Sequence, residues 1–243
     1  MTAPESASAG VVLAAAGGGR RFGTRKQFLT LAGRPLLHAS LGVFALLEEI
    51  AEIVVVAPAD DLERTGGVIA DWQATAVGEG RADRPLQVTV VAGGERRQDS
   101  VLAGLMAFGE KIEWALVHDA ARPLVRADEV RRVLDSVRAH DAAVLGTPCY
   151  DSIKRVEDGR IIEELPREAV WTVQTPQGAR LELLKTAYER FPDTAWTDES
   201  SALRHMGVTV QLVEGSRENV KITRPGDESL AEFLLRSRDG EML

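Results

Sequence analysis

Four cations fall within seven residues directly after a run of glycines. Arg20, Arg21, Arg25 and Lys26 follow Gly17-Gly18-Gly19. Glycine admits positive φ and lets a phosphate approach backbone N–H groups. Such a loop suits binding of a phosphorylated ligand. It is not a P-loop, because Gly18 and Gly23 have the spacing but Thr24 stands where a lysine is required. It is not a dinucleotide fingerprint, because Phe22 occupies the third glycine position. The bland reading is a solvated basic turn, but clustering of cations stands out in a chain of formal net charge -8.

Three further stretches carry candidate chemistry. Gly93-Gly94-Glu95-Arg96-Arg97-Gln98-Asp99-Ser100 reads as a turn entering a helix. Exposed N–H groups there could meet a base edge or a phosphate; a plain strand–turn–helix connection reads equally well. In His118-Asp119-Ala120-Ala121-Arg122-Pro123, Asp119 ends a buried strand, a costly place for an idle carboxylate. Arg122 could pair it or grip a phosphate. His118 reads as a satisfied core-edge histidine. Lys221 stands between Val220 and Ile222 on an expected short strand, so it points opposite to both, either to solvent or into a cleft. Trp196–Leu203 reads as a helix start whose polarity is mostly capping, with Thr197 its best candidate ligand.

The elements that must position these residues alternate. Apolar runs at Val11–Ala16, Ile53–Ala57, Val88–Ala92, Trp114–His118 and Ala142–Leu145 read as strands. Between them, Pro35–Leu47, Asp60–Trp72, Gln98–Phe108 and Asp128–His140 read as helices. That rhythm predicts an α/β fold: a Rossmann-like open, mostly parallel sheet with helices on both faces. Ligands of such sheets bind beyond the C-terminal strand ends, where the special loops fall. After Pro148 the pattern changes. Ser152–Val156 and Arg160–Glu164 flank Asp158-Gly159, a tight-hairpin signal. The hairpin lacks a core of its own, so it should lie on the sheet or reach another subunit. The rhythm resumes with a strand Trp171–Gln174, helices Leu181–Phe191 and Glu199–Met206, a strand Thr209–Val213 and a helix Glu228–Arg236. Residues 1–10 read as a frayed tail and 11–238 as a single domain, with the hairpin arm at about 148–170.

Composition excludes several classes. The chain has 243 residues and is 44% apolar, enough for a sizeable core. Its acidity argues against a nucleic-acid binder. The single Cys149 allows no intramolecular disulfide and no Cys-rich zinc site, and the four histidines lack metalloprotease spacing. No apolar run approaches the roughly 20 residues of a membrane span. No basic residue precedes Arg20, so Val11–Ala16 is not a signal-peptide core. The expectation is a soluble, cytoplasmic protein with neither nucleic-acid nor membrane partners.

Taken together, the stretches resemble a known family. Ala-Ala-Gly-x-Gly-x-Arg, Lys-Gln, Gly-Gly-x-x-Arg-x-x-Ser, His-Asp-Ala-Ala-Arg-Pro, Thr-Pro-Gln, Thr-Asp-Glu and Val-Lys-Ile-Thr-Arg-Pro occur here in the order found in 2-C-methyl-D-erythritol 4-phosphate cytidylyltransferases. The resemblance runs from Val11 to about Leu235. It implies a nucleotidyltransferase-type fold, with transfer of a cytidylyl group from CTP to the alcohol phosphate and release of pyrophosphate. The acceptor phosphate attacks the α-phosphorus in line, so the chemistry needs converging cations rather than a nucleophilic side chain.

By matching motif, the resemblance assigns Arg21 and Lys26 to transition-state stabilisation. It gives Ala15, Ala16, Gly17, Gly18 and Gly19 to the CTP cradle, and Gly94, Glu95 and Ser100 to base- and ribose-side contacts. Asp119, Arg122 and Thr197 hold the acceptor, and Lys221 orients its phosphate. Arg167 is a second orienting residue, supplied by the neighbouring subunit's arm, so a homodimer with arm exchange is implied. Mg²⁺ is implied as a cofactor bound mainly through the CTP triphosphate, with no side-chain ligand assigned.

The chain departs from the family pattern at Glu95, where Asp is usual, and at Arg25, where Pro commonly precedes the lysine of a longer loop. It ends shortly after its last helix, so a monofunctional enzyme is expected rather than a fusion with a cyclodiphosphate synthase. The alternatives are a cytidylyltransferase for another polyol phosphate, such as ribitol 5-phosphate, or a non-catalytic CTP-binding protein. An NAD-binding oxidoreductase is disfavoured by Phe22.

Overall fold

A computed structural model describes residues 8–17, 28–78 and 86–238. Its first strand, β1 (Ser8–Ala14), shows how the core is made. Val11, Val12 and Leu13 are fully buried. Successive side chains of a strand face opposite ways. Val11 and Leu13 therefore join Leu37, Leu41 and Phe44 on one face, while Val12 joins Val101 and Leu105 on the other. A strand covered on both faces must be apolar throughout, which is why the run does not alternate. β1 begins at Ser8, so Ser8–Gly10 belong to the sheet rather than to the expected tail.

Beyond β1 the described elements are β2 (Thr30–Leu31), β3 (Arg34–Pro35), α1 (Leu36–Ala45), β4 (Ile50–Ala57), α2 (Leu62–Gly78), β5 (Gln87–Ala92), α3 (Arg97–Met106), β6 (Ile112–Asp119), α4 (Ala127–His140) and β7 (Ala142–Pro148). They continue with β8 (Ile153–Glu157), β9 (Arg160–Leu165), β10 (Trp171–Arg180), α5 (Leu181–Arg190), α6 (Glu199–His205), β11 (Gln211–Glu214) and α7 (Asp227–Arg238). A seven-stranded sheet runs in the order β11-β7-β10-β6-β1-β4-β5. All neighbours are parallel except β10, which is antiparallel to both β6 and β7. α1, α2 and α4 supply residues to the core on one face; α3, α5 and α6 supply the other.

β10 is longer than the expected Trp171–Gln174 because its apolar signal fades at Pro176-Gln177-Gly178 while its pairing continues to Arg180. Its register to β7 shifts between Val173 and Gln177. The short β2–β3 pair was not expected; it carries Leu31 into a small third cluster with Leu36, Leu124, Ile222 and Ala231. Close packing of α3 on the sheet depends on Gly104, where an added Cβ would lie 2.6 Å from Val12 Cγ1 and 2.8 Å from Val56 Cγ2. α4 begins one residue before the expected Asp128, and the carboxylate that caps its start is Glu129, which accepts from the Arg126 N–H at 2.8 Å.

The hairpin forms as expected. β8 and β9 pair only with each other, and Asp158 and Gly159 turn at φ 47° and 76°. That is the both-positive pattern of a tight hairpin turn. Val156 and Ile161 are exposed, the latter by 67%. The neck of the excursion is closed: Trp171 pairs with Pro148, and Cys149 N–H donates to Val170 O at 2.9 Å.

Candidate active site

β6, β1, β4 and β5 are consecutive parallel strands, and the loops that follow β6, β1 and β5 leave from the same edge of the sheet. Ala15 N–H donates to Val56 O, Ala120 N–H to Ala14 O and Gly93 N–H to Ala57 O, so each loop starts from a fixed point. The first and second loops touch. An added Cβ at Gly93 would lie 2.5 Å from Ala16 Cβ and 2.8 Å from Ser100 Oγ. Ala15 is buried, Ala16 half-buried and Gly17 exposed, so the chain emerges to solvent at Gly17. Gly18, Gly19, Arg21 and Lys26 lie outside the described residues.

The second loop is closed on itself. Gly94 N–H donates to Ser100 Oγ at 3.1 Å, and Arg96 N–H to Asp99 Oδ2 at 3.1 Å. The N–H groups of Gly93, Gly94 and Arg96 are therefore engaged inside the protein, as in the plain strand–turn–helix connection that read equally well. The Gly93 N–H meets Ala57 O, while a hydroxyl and a carboxylate in the first turn of α3 satisfy Gly94 and Arg96. Glu95 is exposed at the tip.

Asp119 is the centre of the third loop. It ends β6 and is 8% exposed. Lys221 Nζ donates to its Oδ2 at 2.5 Å, and Arg97 Nη2 lies 3.4 Å from its Oδ1. Burial alone would raise the Asp119 carboxyl. The Lys221 ammonium and then the Arg97 guanidinium outweigh it and hold the carboxyl at about 2. The open question at Lys221 is thus resolved: it points into the site. It does so from segment 219–223, which is not a strand as expected. Ile222 is buried, its N–H donating to Ala121 O at 2.9 Å, and this turns the neighbouring lysine the other way.

Arg122 forms no ion pair with Asp119. Its Nη1 donates to Asn219 O at 2.7 Å. Burial pushes its guanidinium below the usual range, partly offset by Asp119. Arg122 Nε and Asn219 Oδ1 are buried without a hydrogen-bond partner. Both residues line a recess of about 340 Å³ with Thr147, Thr172, Arg217 and Lys221. The chemistry of this recess is that of an anion site with hydroxyl-bearing walls.

His118 has a fixed structural role. Its Nε2 meets Arg122 O at 3.0 Å and its Nδ1 meets Thr175 Oγ1 at 3.1 Å. A carbonyl only accepts, so Nε2 carries the proton. Thr175 Oγ1 accepts from the Asp119 N–H and donates to Nδ1. Burial lowers this imidazole to about 4, against the Arg122 carbonyl bond and Asp119, so it is neutral near pH 7.

Thr197 is exposed beside α6, its Oγ1 3.0 Å from Ser201 Oγ, and Asp198 caps the helix through Ser201 N–H at 2.8 Å. Arg167 stands at the foot of the hairpin in a 3-10 turn, Arg167–Ala169. Its guanidinium donates to Glu168 Oε1 and Tyr150 O, so this subunit's Arg167 does not join the Asp119 cluster.

Sequence reasoning gave no role to Arg97, Thr175, Tyr188, Glu199 or Asn219. Arg97 and Glu199 were legible only as letters in the second loop and in a capping sequence. The structure joins them across 102 positions, with Arg97 Nη1 2.6 Å from Glu199 Oε1. Thr175 reaches Asp119 because the register shift in β10 takes it off the ladder.

Among the described residues no three His, Cys, Asp or Glu side chains converge, and both oxygens of Asp119 face cations. A larger hollow of about 680 Å³ opens at the opposite sheet edge, by Ser8 and Trp114. Its charges pair among themselves, as in Arg131–Glu49, or with neighbours, as in Glu113–Arg180. Among the described residues no helix is long and apolar enough to cross a membrane.

Comparison with known proteins agrees with this geometry. Residues 9–237 match the family model of 2-C-methyl-D-erythritol 4-phosphate cytidylyltransferase. The enzyme of that name from Halalkalibacterium halodurans is 36% identical, over 94% of this chain and 97% of the relative. The crystal structure of the Thermus thermophilus enzyme is 34% identical with a TM-score of 0.74, covering 94% of this chain and 99% of that one. The fold of 4-diphosphocytidyl-2C-methyl-D-erythritol synthase from Anaerococcus prevotii superposes with a TM-score of 0.81 at 24% identity, covering 94% and 96%. This protein therefore belongs to the 2-C-methyl-D-erythritol 4-phosphate cytidylyltransferase family.

Proposed function

We propose that this protein transfers the cytidylyl group of CTP to 2-C-methyl-D-erythritol 4-phosphate, giving 4-diphosphocytidyl-2-C-methyl-D-erythritol and pyrophosphate. The observation that carries the reading is the placement of Asp119, Lys221 and Arg122 at one sheet edge beside the end of β1, in a chain of this family. The acceptor phosphate displaces pyrophosphate at the α-phosphorus, and negative charge grows on the α-phosphoryl oxygens and the leaving group. Arg21 and Lys26 stabilise that charge. Ala15, Ala16 and Gly17–Gly19 cradle the nucleotide, with Gly94, Glu95 and Ser100 on its nucleoside side.

Asp119, Arg122 and Thr197 hold the acceptor. Lys221 and a neighbour's Arg167 orient its phosphate. A lysine already bound to a carboxylate is fixed before the ligand arrives, so less ordering remains to be done. The unpartnered Arg122 Nε and Asn219 Oδ1 offer a donor and an acceptor to a polyol phosphate. Bound Mg²⁺ would be held mainly through the CTP triphosphate and would neutralise charge there, with no side-chain ligand assigned. The working form in this reading is a cytoplasmic homodimer of one nucleotidyltransferase domain per chain, its arms exchanged.

Pyrophosphate release with CTP and Mg²⁺, offering methylerythritol phosphate and ribitol 5-phosphate in parallel, tests the reading. Turnover with the first is expected. Turnover mainly with ribitol phosphate moves the protein to another acceptor, and silence with both rejects transfer to either.

A further inference from the structure

A chain of alternating charge runs from the helical layer into the site. Tyr188 on α5 donates to Glu199 Oε1 at 3.0 Å. Glu199 on α6 takes Arg97 Nη1 on Oε1 at 2.6 Å and Nη2 on Oε2 at 3.1 Å. The same Nη2 lies 3.4 Å from Asp119 Oδ1, and Lys221 holds Oδ2 at 2.5 Å. Glu199 is fully buried. A buried, ionised carboxylate is costly unless paired. It is not needed to cap α6, since Asp198 does that. Its burial is compensated by Arg97 on both oxygens and by Tyr188 on Oε1.

The asymmetry of the guanidinium is the informative fact. Its fork is spent on Glu199, and only the remainder of Nη2 reaches Asp119, at hydrogen-bonding limit. An arginine released from Glu199 would close on Asp119 side-on, the geometry this pair prefers. With Lys221 already on Oδ2, cations would then take about three of the roughly four acceptor positions of the carboxylate, leaving Oδ1 less able to accept from an alcohol hydroxyl. Four groups of alternating sign also sum to no net charge, so Asp119 stays ionised without becoming locked.

We propose that Glu199 is a positioning residue that limits Arg97 to one long contact with Asp119 and so keeps acceptor capacity on Oδ1 for the acceptor alcohol. This rests on the reading of Asp119 as an acceptor-binding residue.

The test compares steady-state kinetics and thermal melting of wild type, Glu199→Gln, and the double variant Arg97→Gln/Glu199→Gln, with methylerythritol phosphate and CTP varied separately. Wild-type turnover is the first control; its absence rejects the functional reading before any variant is compared. In folded Glu199→Gln the acceptor KM rises tenfold or more while the CTP KM stays within twofold. The double variant removes the arginine as well and recovers at least threefold of that loss, which a merely structural defect would not do. Both KM values moving together, neither moving, or no recovery in the double variant overturns the proposal. If Glu199→Gln does not melt cooperatively, Glu199→Asp carries the same test. Its shorter reach loosens the hold, and the acceptor KM rises threefold or more; an unchanged KM overturns the idea.

Discussion

Lys221 and Asp119 stand 102 residues apart in the chain and 2.5 Å apart in the site. The lysine arrives on a loop pinned by Ile222 against Ala121, and the aspartate on the last residue of a central strand. Neither could be placed so firmly by its own element alone. The pairing fixes the charge state of the carboxylate as well as the direction of the ammonium.

Replacing Lys221 therefore has two readouts. Lys221→Ala lowers kcat/KM by roughly 10²–10³-fold through loss of a preorganised cation. It also removes the foremost partner that lowers the Asp119 carboxyl, leaving burial less opposed. The carboxyl rises from about 2, so the acid limb of the residual activity moves to higher pH. An acid limb that stays in place would show that Lys221 does not set this ionisation.

His118 predicts a stability change at mildly acid pH. Its imidazole is lowered by burial to about 4 from an ordinary value near 6.5. In that window the unfolded chain binds a proton that the folded chain refuses. Stability is full above about 6.5 and declines as pH falls toward 4, by on the order of 3 kcal/mol. Denaturant titrations at pH 7, 5.5 and 4.5 should show the decline, and His118→Gln should flatten it.

Gly93→Ala should act on the nucleotide side. The new methyl would sit 2.5 Å from Ala16 Cβ and 2.8 Å from Ser100 Oγ, so one of the two loops must move. Overpacking of this kind costs about 1–3 kcal/mol. The CTP KM rises more than the acceptor KM; equal change in both would remove the Ala16–Gly93–Ser100 contact from the nucleotide cradle.

Lys26→Ala should depress turnover by roughly 10²–10³-fold with an unchanged melting curve. Mixing it with Arg167→Ala should restore part of the activity, since one of the two composite sites in a hybrid dimer is intact. Subunit exchange must be shown by mass or fluorescence. Exchange without recovered activity would mean that each chain completes its own site.

Much of this architecture was legible because it rests on local pattern. Val11–Leu13 had to be buried on both faces, and Asp158-Gly159 had to turn. What escaped were relationships created by tertiary geometry. Arg97 and Glu199 are an ordinary arginine and an ordinary capping-region glutamate until α3 and α6 place them 2.6 Å apart. Thr175 escaped because a register shift cannot be read from composition. At Gly94 the sequence left open whether the N–H serves a ligand or the turn, and the structure gives it to Ser100.

The closed neck at Pro148–Trp171 has a consequence for how the protein can change. β7 leaves the sheet and β10 re-enters it at adjacent points, so residues 149–170 form an insert whose length the sheet does not register. Loop closure depends only weakly on loop length. The insert can be lengthened, shortened or exchanged as a cassette without rethreading the fold, while Arg167 travels with it. In the proposed arm-exchanged dimer, acceptor orientation and subunit pairing would both be carried on one exchangeable segment, separate from the strand that presents Asp119.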